Sequence, residues 1–313
     1  MDSSNKTEVI FNFPPFVRVY KDGFIERIHK TEFIPPSFDP STGVSSKDVI
    51  INQETGLSAR LYLPKLEKDL LDKLPLLIYI HGGGFCIESA FSPLYHSYLN
   101  SLVAEANVVA LSVEYRRAPE HFLPIAYDDS WASLQWVTSQ SNEEEWLKNY
   151  VDFDKVFLAG DSAGANIAHN VVVRAGCEDL NGMKINGLVL VHPLFIGIEP
   201  IGAEVTNLNH IRAGKLWSFV CPTSTGADDP FINPDKDPNL SRLGCKRVLV
   251  CVAERDQLRD RGWFYYEKLR ESGWDGVVEF TEAKGEKHVF HLTNPTSENA
   301  ADLMKLVVSF LHN

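Results

Sequence analysis

Short runs of consecutive apolar residues, separated by longer stretches of helical periodicity, set the rhythm of this chain. SARLYLP (58–64), LPLLIYI (74–80), VVALSVE (108–114), DKVFLAG (154–160), INGLVLVH (185–192) and KRVLVCVAE (246–254) are such runs, several of them rich in β-branched residues. Strands buried on both faces of a mostly parallel sheet read this way, because neither face meets water and strict alternation is lost. Between the runs, residues 93–106, 124–139, 163–175 and RDRGWFYYEKLRESG, with its Gly273 stop, have the spacing of helices. Strand alternating with helix predicts an α/β fold, a central sheet covered by helices and joined by right-handed crossovers.

Two stretches break the rhythm. In residues 1–45, FPPF, IPPSF and DPSTG interrupt any long element, which predicts an arm packed over the body with little regular structure. Residues 195–230 carry NLNHIRAGKLWSFVCPTSTGADDP, a helix-sized insert after the carboxyl end of a strand, positioned to roof a site. No repeat and no low-complexity tract divides the 313 residues, so the expected organisation is a single domain over 1–313, with 1–45 and about 195–230 added around the sheet.

Composition narrows the function. A content of 44% hydrophobic residues supports a large core, and a net charge of -12 opposes attraction to phosphate backbones or anionic lipid. Nucleic acid and membrane are therefore not expected partners. The five cysteines, Cys86, Cys177, Cys221, Cys245 and Cys251, are odd in number and lack zinc-type pairing, which argues against a disulfide framework or structural metal and for a reducing compartment. MDSSNKTEVIFNFPPF has no basic stretch leading into a long apolar one, no run reaches membrane-spanning length, and FLHN is no sorting address. The cytoplasm is the expected location.

The chemistry begins at GDSAG, 160–164, between a strand-like VFLAG and a helix-like ANIAHNVVVRAG. G-x-S-x-G in a strand–turn–helix setting is a nucleophile elbow, whose sharp turn lifts Ser162 into an open site while the glycines remove side chains that would collide. A serine hydroxyl needs a histidine to accept its proton and a carboxylate to orient the histidine. Asp256 follows the strand ending at Glu254, at the carboxyl edge where sites of α/β sheets form; Asp260 suits the start of the next helix, and Glu254 is a weaker rival. Of the histidines after the serine, His169 lies within a helix, His192 reads as a strand-end residue and His312 abuts the terminus. His288 follows the strand-like VVEFTEA in the loop AKGEKHVF and is preferred over His291, which suits packing or capping.

HGGGFC, 81–86, follows the run LPLLIYI. Three consecutive glycines let backbone N–H groups approach a developing negative oxygen, and the N–H groups of Gly83 and Gly84, with that of Ala163 at the start of the elbow helix, form the expected oxyanion hole. A phosphate-binding loop would need a Lys-Ser/Thr ending or a third spaced glycine, and neither is present. Asp128 and Asp129 are adjacent on a helix and point apart, so they read as structural, and His81 reads as a hydrogen-bonded support for the glycine loop.

HGGGFC, EYRRAPEHFLPIAYDD, GDSAGANIAHN, DQLRD and HVF, together with FVRVYKDGFIERI and TGVSSKDVII near the start, resemble the plant carboxylesterases of the hormone-sensitive-lipase group along nearly the whole chain. The resemblance implies an α/β-hydrolase fold with an N-terminal cap, no cofactor, and a triad of Ser162, Asp256 and His288. That family also contains 2-hydroxyisoflavanone dehydratases and the gibberellin receptor, so three activities are weighed: a carboxylesterase acting on a small or medium ester such as an acetylated plant metabolite, a lyase or cyclase of specialised metabolism, and a ligand sensor. The sensor is disfavoured by the presence of His288. Pocket-lining residues other than candidates such as Phe85, the substrate, and the oligomeric state are not readable from the sequence.

Overall fold

The computed structural model describes residues 8–66, 72–140, 143–207 and 209–312. The chain starts with β1 (Val9–Phe13), β2 (Val17–Tyr20) and β3 (Ile25–Arg27), which form a three-stranded antiparallel sheet of their own. This corrects the expectation of an arm with little regular structure. Pro14 and Pro15 lie in the turn between β1 and β2, where they cost no ladder hydrogen bond, and VRVY alternates at the two-residue period. The next turn is closed by Asp22, whose carboxylate accepts the Phe24 N–H at 2.9 Å, and by Gly23 at φ +86°. From Ile28 to Val44 the arm is irregular, apart from an isolated bridge between Phe38 and Ser45.

The main sheet contains β4 (Ser45–Asn52), β5 (Leu57–Leu63), β6 (Leu74–Ile80), β7 (Val109–Glu114), β8 (Val151–Asp161), β9 (Ile185–Val191), β10 (Arg247–Ala253) and β11 (Val277–Ala283), in spatial order β11-β10-β9-β8-β6-β7-β5-β4. Six strands from β11 to β7 are parallel, while β5 and β4 run antiparallel at one edge. Every residue of β6 is buried, which explains its unbroken apolar run. β4 was hidden in the sequence because it is an edge strand whose second half alternates between exposed and half-buried positions.

Eight α-helices, with three short 3-10 helices between β9 and β10, complete the fold among the described residues: α1 (Pro93–Ala106), α2 (Ile125–Gln140), α3 (Glu145–Tyr150), α4 (Ala163–Ala175), α5 (Asn209–Val220), α6 (Arg259–Glu271), the single turn α7 (Phe290–Thr293) and α8 (Glu298–His312). Residues Leu76, Ile78 and Ile80 of β6 pack on the side of α2, α4 and α6, whereas Leu77 and Tyr79 pack on the side of α1 and α8. The core is thus two apolar layers separated by the sheet. Register then defines the site's edge. Ile80 pairs with Gly160, Asp161 with Val191, and Val191 with Cys251, so the loops leaving β6, β8, β9 and β10 emerge side by side at the carboxyl ends of four adjacent strands.

Candidate active site

Ser162 sits at the junction of β8 and α4 with φ 53° and ψ -118°, a backbone conformation that a non-glycine residue occupies only under constraint. The constraint is close packing on both sides. A Cβ on Gly160 would meet the Gly164 carbonyl group at 2.5 Å, and one on Gly164 would collide with the carbonyl oxygen of Ile80. Ser162 N–H donates to Val191 O at 2.9 Å, tying the turn to the neighbouring strand.

The structure brings three of the expected side chains into one hydrogen-bonded line. His288 Nε2 lies 3.0 Å from Ser162 Oγ, and His288 Nδ1 lies 2.7 Å from Asp256 Oδ2. The other carboxylate oxygen of Asp256 accepts the Leu258 N–H at 3.0 Å, so the side chain is held in a fixed direction. Burial pushes the Asp256 carboxyl upward, but the His288 charge and hydrogen bond and the Leu258 N–H together hold it below the usual carboxylate range. Burial alone would lower the His288 imidazole; the charge and hydrogen bond of Asp256, with the charge of Asp161 behind them, outweigh it and raise the imidazole above its ordinary value. The Asp256 side chain is fully covered while 31% of the His288 side chain is exposed, so the imidazole can meet a ligand that the carboxylate cannot.

The glycine loop leaves β6 beside the elbow. Gly83 has φ +105° and Gly84 φ +58°, and a Cβ on Gly83 would strike Ile87 O. Among the described residues, the N–H groups of Gly83, Gly84 and Ala163 donate to no acceptor, leaving two unengaged donors on the loop that leaves β6 and one at the amino end of α4. Above Gly84, a Cβ would lie 3.2 Å from Phe16 and 3.3 Å from Leu216, residues of the β1–β2 turn and of α5. The arm and the insert therefore meet over the loop. Their aromatic seam is made by Phe11 and Phe219, stacked with centroids 3.7 Å apart. Arg27 of β3 donates to Cys86 O at 2.8 Å and forms an ion pair with Glu120, anchoring the arm to the loop itself.

The rival residues fall elsewhere. Asp260 accepts the Ala203 N–H at 2.7 Å, and Glu254 accepts the Gly285 N–H at 2.7 Å, so both act on loops. His291 is buried edge-on to Tyr98 at 5.1 Å. His169 is buried against Tyr265, its Nδ1 3.1 Å from the hydroxyl. His81 has Nδ1 2.8 Å from Gly82 O and stacks on Tyr115 at 4.3 Å; burial first, and the Arg117 charge second, lower it to about 3, so it is neutral. Asp129 pairs with Arg116 at 2.7 Å. His192 directly follows the last residue of β9, Val191, and also has a role that sequence reasoning missed. Its Nδ1 accepts the Val289 N–H at 2.9 Å and fixes the residue next to His288. No spacing in the sequence signals that contact.

His192, Asp256 and His288 offer ligand atoms within 4.8 Å of one another. Two ligands sharing one tetrahedral zinc stand about 3.3 Å apart, given bonds near 2.0 Å; the 2.7 Å between Asp256 and His288 is instead a charge-assisted hydrogen bond.

Strand order, elbow and hydrogen-bonded line define an α/β hydrolase, and the chain belongs to that family: the model of the alpha/beta hydrolase fold matches residues 77–292. The chain is 47% identical to a 2-hydroxyisoflavanone dehydratase of Glycyrrhiza echinata, over 99% of this chain and 100% of that one. It is 46% identical to probable carboxylesterase 2 of Arabidopsis thaliana, over 99% and 98%. Among solved structures, the thermostable carboxylesterase EstE1, cloned from a metagenomic library, superposes with a TM-score of 0.72 at 27% identity, covering 90% of each chain. Among the described residues no helix is long and apolar enough to cross a membrane.

Proposed function

We propose that this protein is a serine carboxylesterase that hydrolyses a small or medium ester, with Ser162 as nucleophile, His288 as general base and acid, and Asp256 as the carboxylate that orients His288. The observation that carries the reading is the unbroken line Ser162–His288–Asp256, with contacts of 3.0 and 2.7 Å. Ser162 Oγ attacks the ester carbonyl as His288 Nε2 takes its proton, and the carbonyl electrons move onto oxygen. The N–H groups of Gly83, Gly84 and Ala163 stabilise that oxyanion, each contributing about 3 to 4 kcal/mol in the transition state. Collapse expels the alcohol, protonated by His288, and leaves an acyl-enzyme; water, deprotonated by His288, then attacks it and releases the acid. Each step is complete with these residues and water, and no cofactor enters.

The residues around the sheet fit one functional unit, in which the arm and the 195–230 insert act as a cap whose Phe16 and Leu216 border the pocket. A small-molecule ester is the expected partner, and the cytoplasm the expected location. Ser162→Ala tests the assignment. It removes the nucleophile without opening a cavity, so p-nitrophenyl acetate hydrolysis falls to background with the thermal transition unchanged, and an organophosphate labels Ser162 alone in the parent. Retained turnover in the alanine variant refutes the mechanism.

A second reading has its own support in the 47% identity to a 2-hydroxyisoflavanone dehydratase. In it His288 removes a proton from a substrate whose enolate-like oxygen rests on the same N–H groups, and Ser162 is dispensable. Product analysis separates the two: loss of water from a hydroxylated substrate that persists in Ser162→Ala favours the lyase.

A further inference from the structure

The buried carboxylate of Asp161, beside the serine, is left over when the mechanism above is complete. It lies 1% exposed, and among the described residues no lysine or arginine pairs with it. A buried charge of this kind is costly unless its environment is built for it. Three donors supply that environment: Tyr79 Oη donates to Oδ1 at 2.9 Å, Tyr95 Oη donates to Oδ2 at 2.9 Å, and Gly82 N–H reaches Oδ1 at 3.2 Å. Gly82 N–H also donates to Tyr95 Oη at 2.8 Å, which closes a ring of hydrogen bonds between the elbow and the first glycine of the loop.

Gly82 is fitted to this carboxylate. A Cβ there would collide with Asp161 Oδ2 and come within 2.9 Å of Asp161 O, although its backbone does not require glycine for its dihedral angles. Gly83 and Gly84, whose N–H groups are the donors assigned to the oxyanion, follow directly at φ +105° and +58°. The direction of those donors is therefore inherited from Gly82. Burial pushes the carboxyl up to about 6, opposed by the Tyr95 and Tyr79 hydrogen bonds and the His288 charge; the three donors converging on its two oxygens are the partners a carboxylate anion takes in charge-assisted bonds.

We propose that Asp161 is a positioning residue of the reaction: its carboxylate, with Tyr95, pins Gly82 and so fixes the backbone donors of the glycine loop relative to Ser162. The inference deepens the esterase reading and rests on it for its kinetic consequence, but the pin itself is independent of any turnover. Preorganised donors matter most when the oxyanion forms, since they then need no reorganisation. Loss of the pin should accordingly lower kcat and leave ground-state binding little changed.

The test uses the full chain with Asp161→Asn, which keeps the shape and removes the charge, and Tyr95→Phe, which removes the second acceptor of the Gly82 N–H. Hydrogen exchange at the Gly82 amide reads the pin, and a trifluoromethyl ketone that forms a tetrahedral adduct with Ser162 reads the donors. Both variants are expected to exchange the Gly82 amide at least tenfold faster, to lose 10- to 100-fold in kcat with KM within twofold, and to bind the ketone more weakly by the same factor as kcat. Tyr265→Phe, which removes a buried hydroxyl from His169, controls for the loss of any buried hydrogen bond and leaves these readouts at the parent's values. Unchanged Gly82 exchange overturns the proposal whatever the activity, and so does faster exchange with kcat intact, or a fall in which KM rises as much as kcat drops. Turnover surviving in Ser162→Ala would count against the esterase reading alone, and the exchange measurement would still judge the pin.

Discussion

Replacing Asp256 by asparagine removes a charge with little change of shape, and the surrounding bonds determine how the amide must sit. One oxygen of Asp256 accepts the Leu258 N–H at 3.0 Å, so the asparagine keeps its carbonyl there and turns its NH2 group toward His288 Nδ1. An NH2 donor forces Nδ1 to be the acceptor, which leaves the ring proton on Nε2, facing Ser162 Oγ. That tautomer cannot take the serine proton. The imidazolium that forms during attack also loses its counter-charge; at an effective dielectric of about 20, unit charges about 4 Å apart attract by about 4 kcal/mol, or about three decades of rate. The expected loss in kcat is therefore about 10³ to 10⁴, comparable with tautomer-inverting substitutions in other triads. The pH profile carries a second signature. His288 is raised chiefly against burial by Asp256, so the parent loses activity as pH falls through a value above about 6.5, because the base becomes protonated. In Asp256→Asn this acid limb moves to lower pH. The assay is kcat/KM for p-nitrophenyl acetate from pH 5 to 9, on protein whose melting temperature is recorded alongside. A loss of less than tenfold, or an acid limb that stays in place, would refute the reasoning.

His291→Ala and Asp260→Asn should each reduce kcat/KM less than tenfold, since their contacts are with Tyr98 and with the Ala203 N–H; a loss matching that of His288→Ala would reverse the assignment. Gly164→Ala forces a methyl against the carbonyl oxygens of Ile80 and His81 and should destabilise by about 3 kcal/mol, visible as a lower melting temperature, and an unchanged melting curve would contradict the close packing. Glu204→Gln leaves buried Arg261 without its ion-pair partner, 2.6 Å away, at a cost of about 3 to 5 kcal/mol, measured by urea unfolding. Deleting residues 1–27 removes β1 to β3 and Phe16; slow hydrolysis of p-nitrophenyl acetate should persist while discrimination among bulkier esters is lost, and equal loss for every ester would refute a cap.

The parts of the fold that were legible are those whose physics is local. The buried runs of β6 to β10 and the helices at 93–106 and 163–175 follow from periodicity, and the elbow from a glycine spacing whose collisions are with its own neighbours. The arm was misread because prolines were weighed as breakers of the whole segment, whereas Pro14 and Pro15 occupy a turn and leave VRVY free to pair. β4, α3 and α7 were missed because each is short, polar or at an edge. Ser162, Asp256 and His288 could be chosen by chain order and loop position, and the structure puts them in contact. The contacts of Asp161 with Tyr79, Tyr95 and Gly82 join positions 82, 66 and 79 residues apart, and only the fold brings such residues together. The same is true of His192 and Val289.

The seam between Gly164 and the carbonyls of Ile80 and His81 has room for hydrogen and nothing larger, which gives the site an immutable floor. Any lineage of this sequence that acquires a new substrate must leave the floor alone and change the roof, where Phe16 and Leu216 approach Gly84 from separately encoded segments. Exchange of residues there changes what borders the loop, provided that the anchors beneath, such as Arg27 on Cys86 O, are kept. Selection and protein engineering alike therefore have a divided target: a reaction centre whose backbone packing excludes any added side chain, under side chains of the arm and insert that can be exchanged without entering that packing.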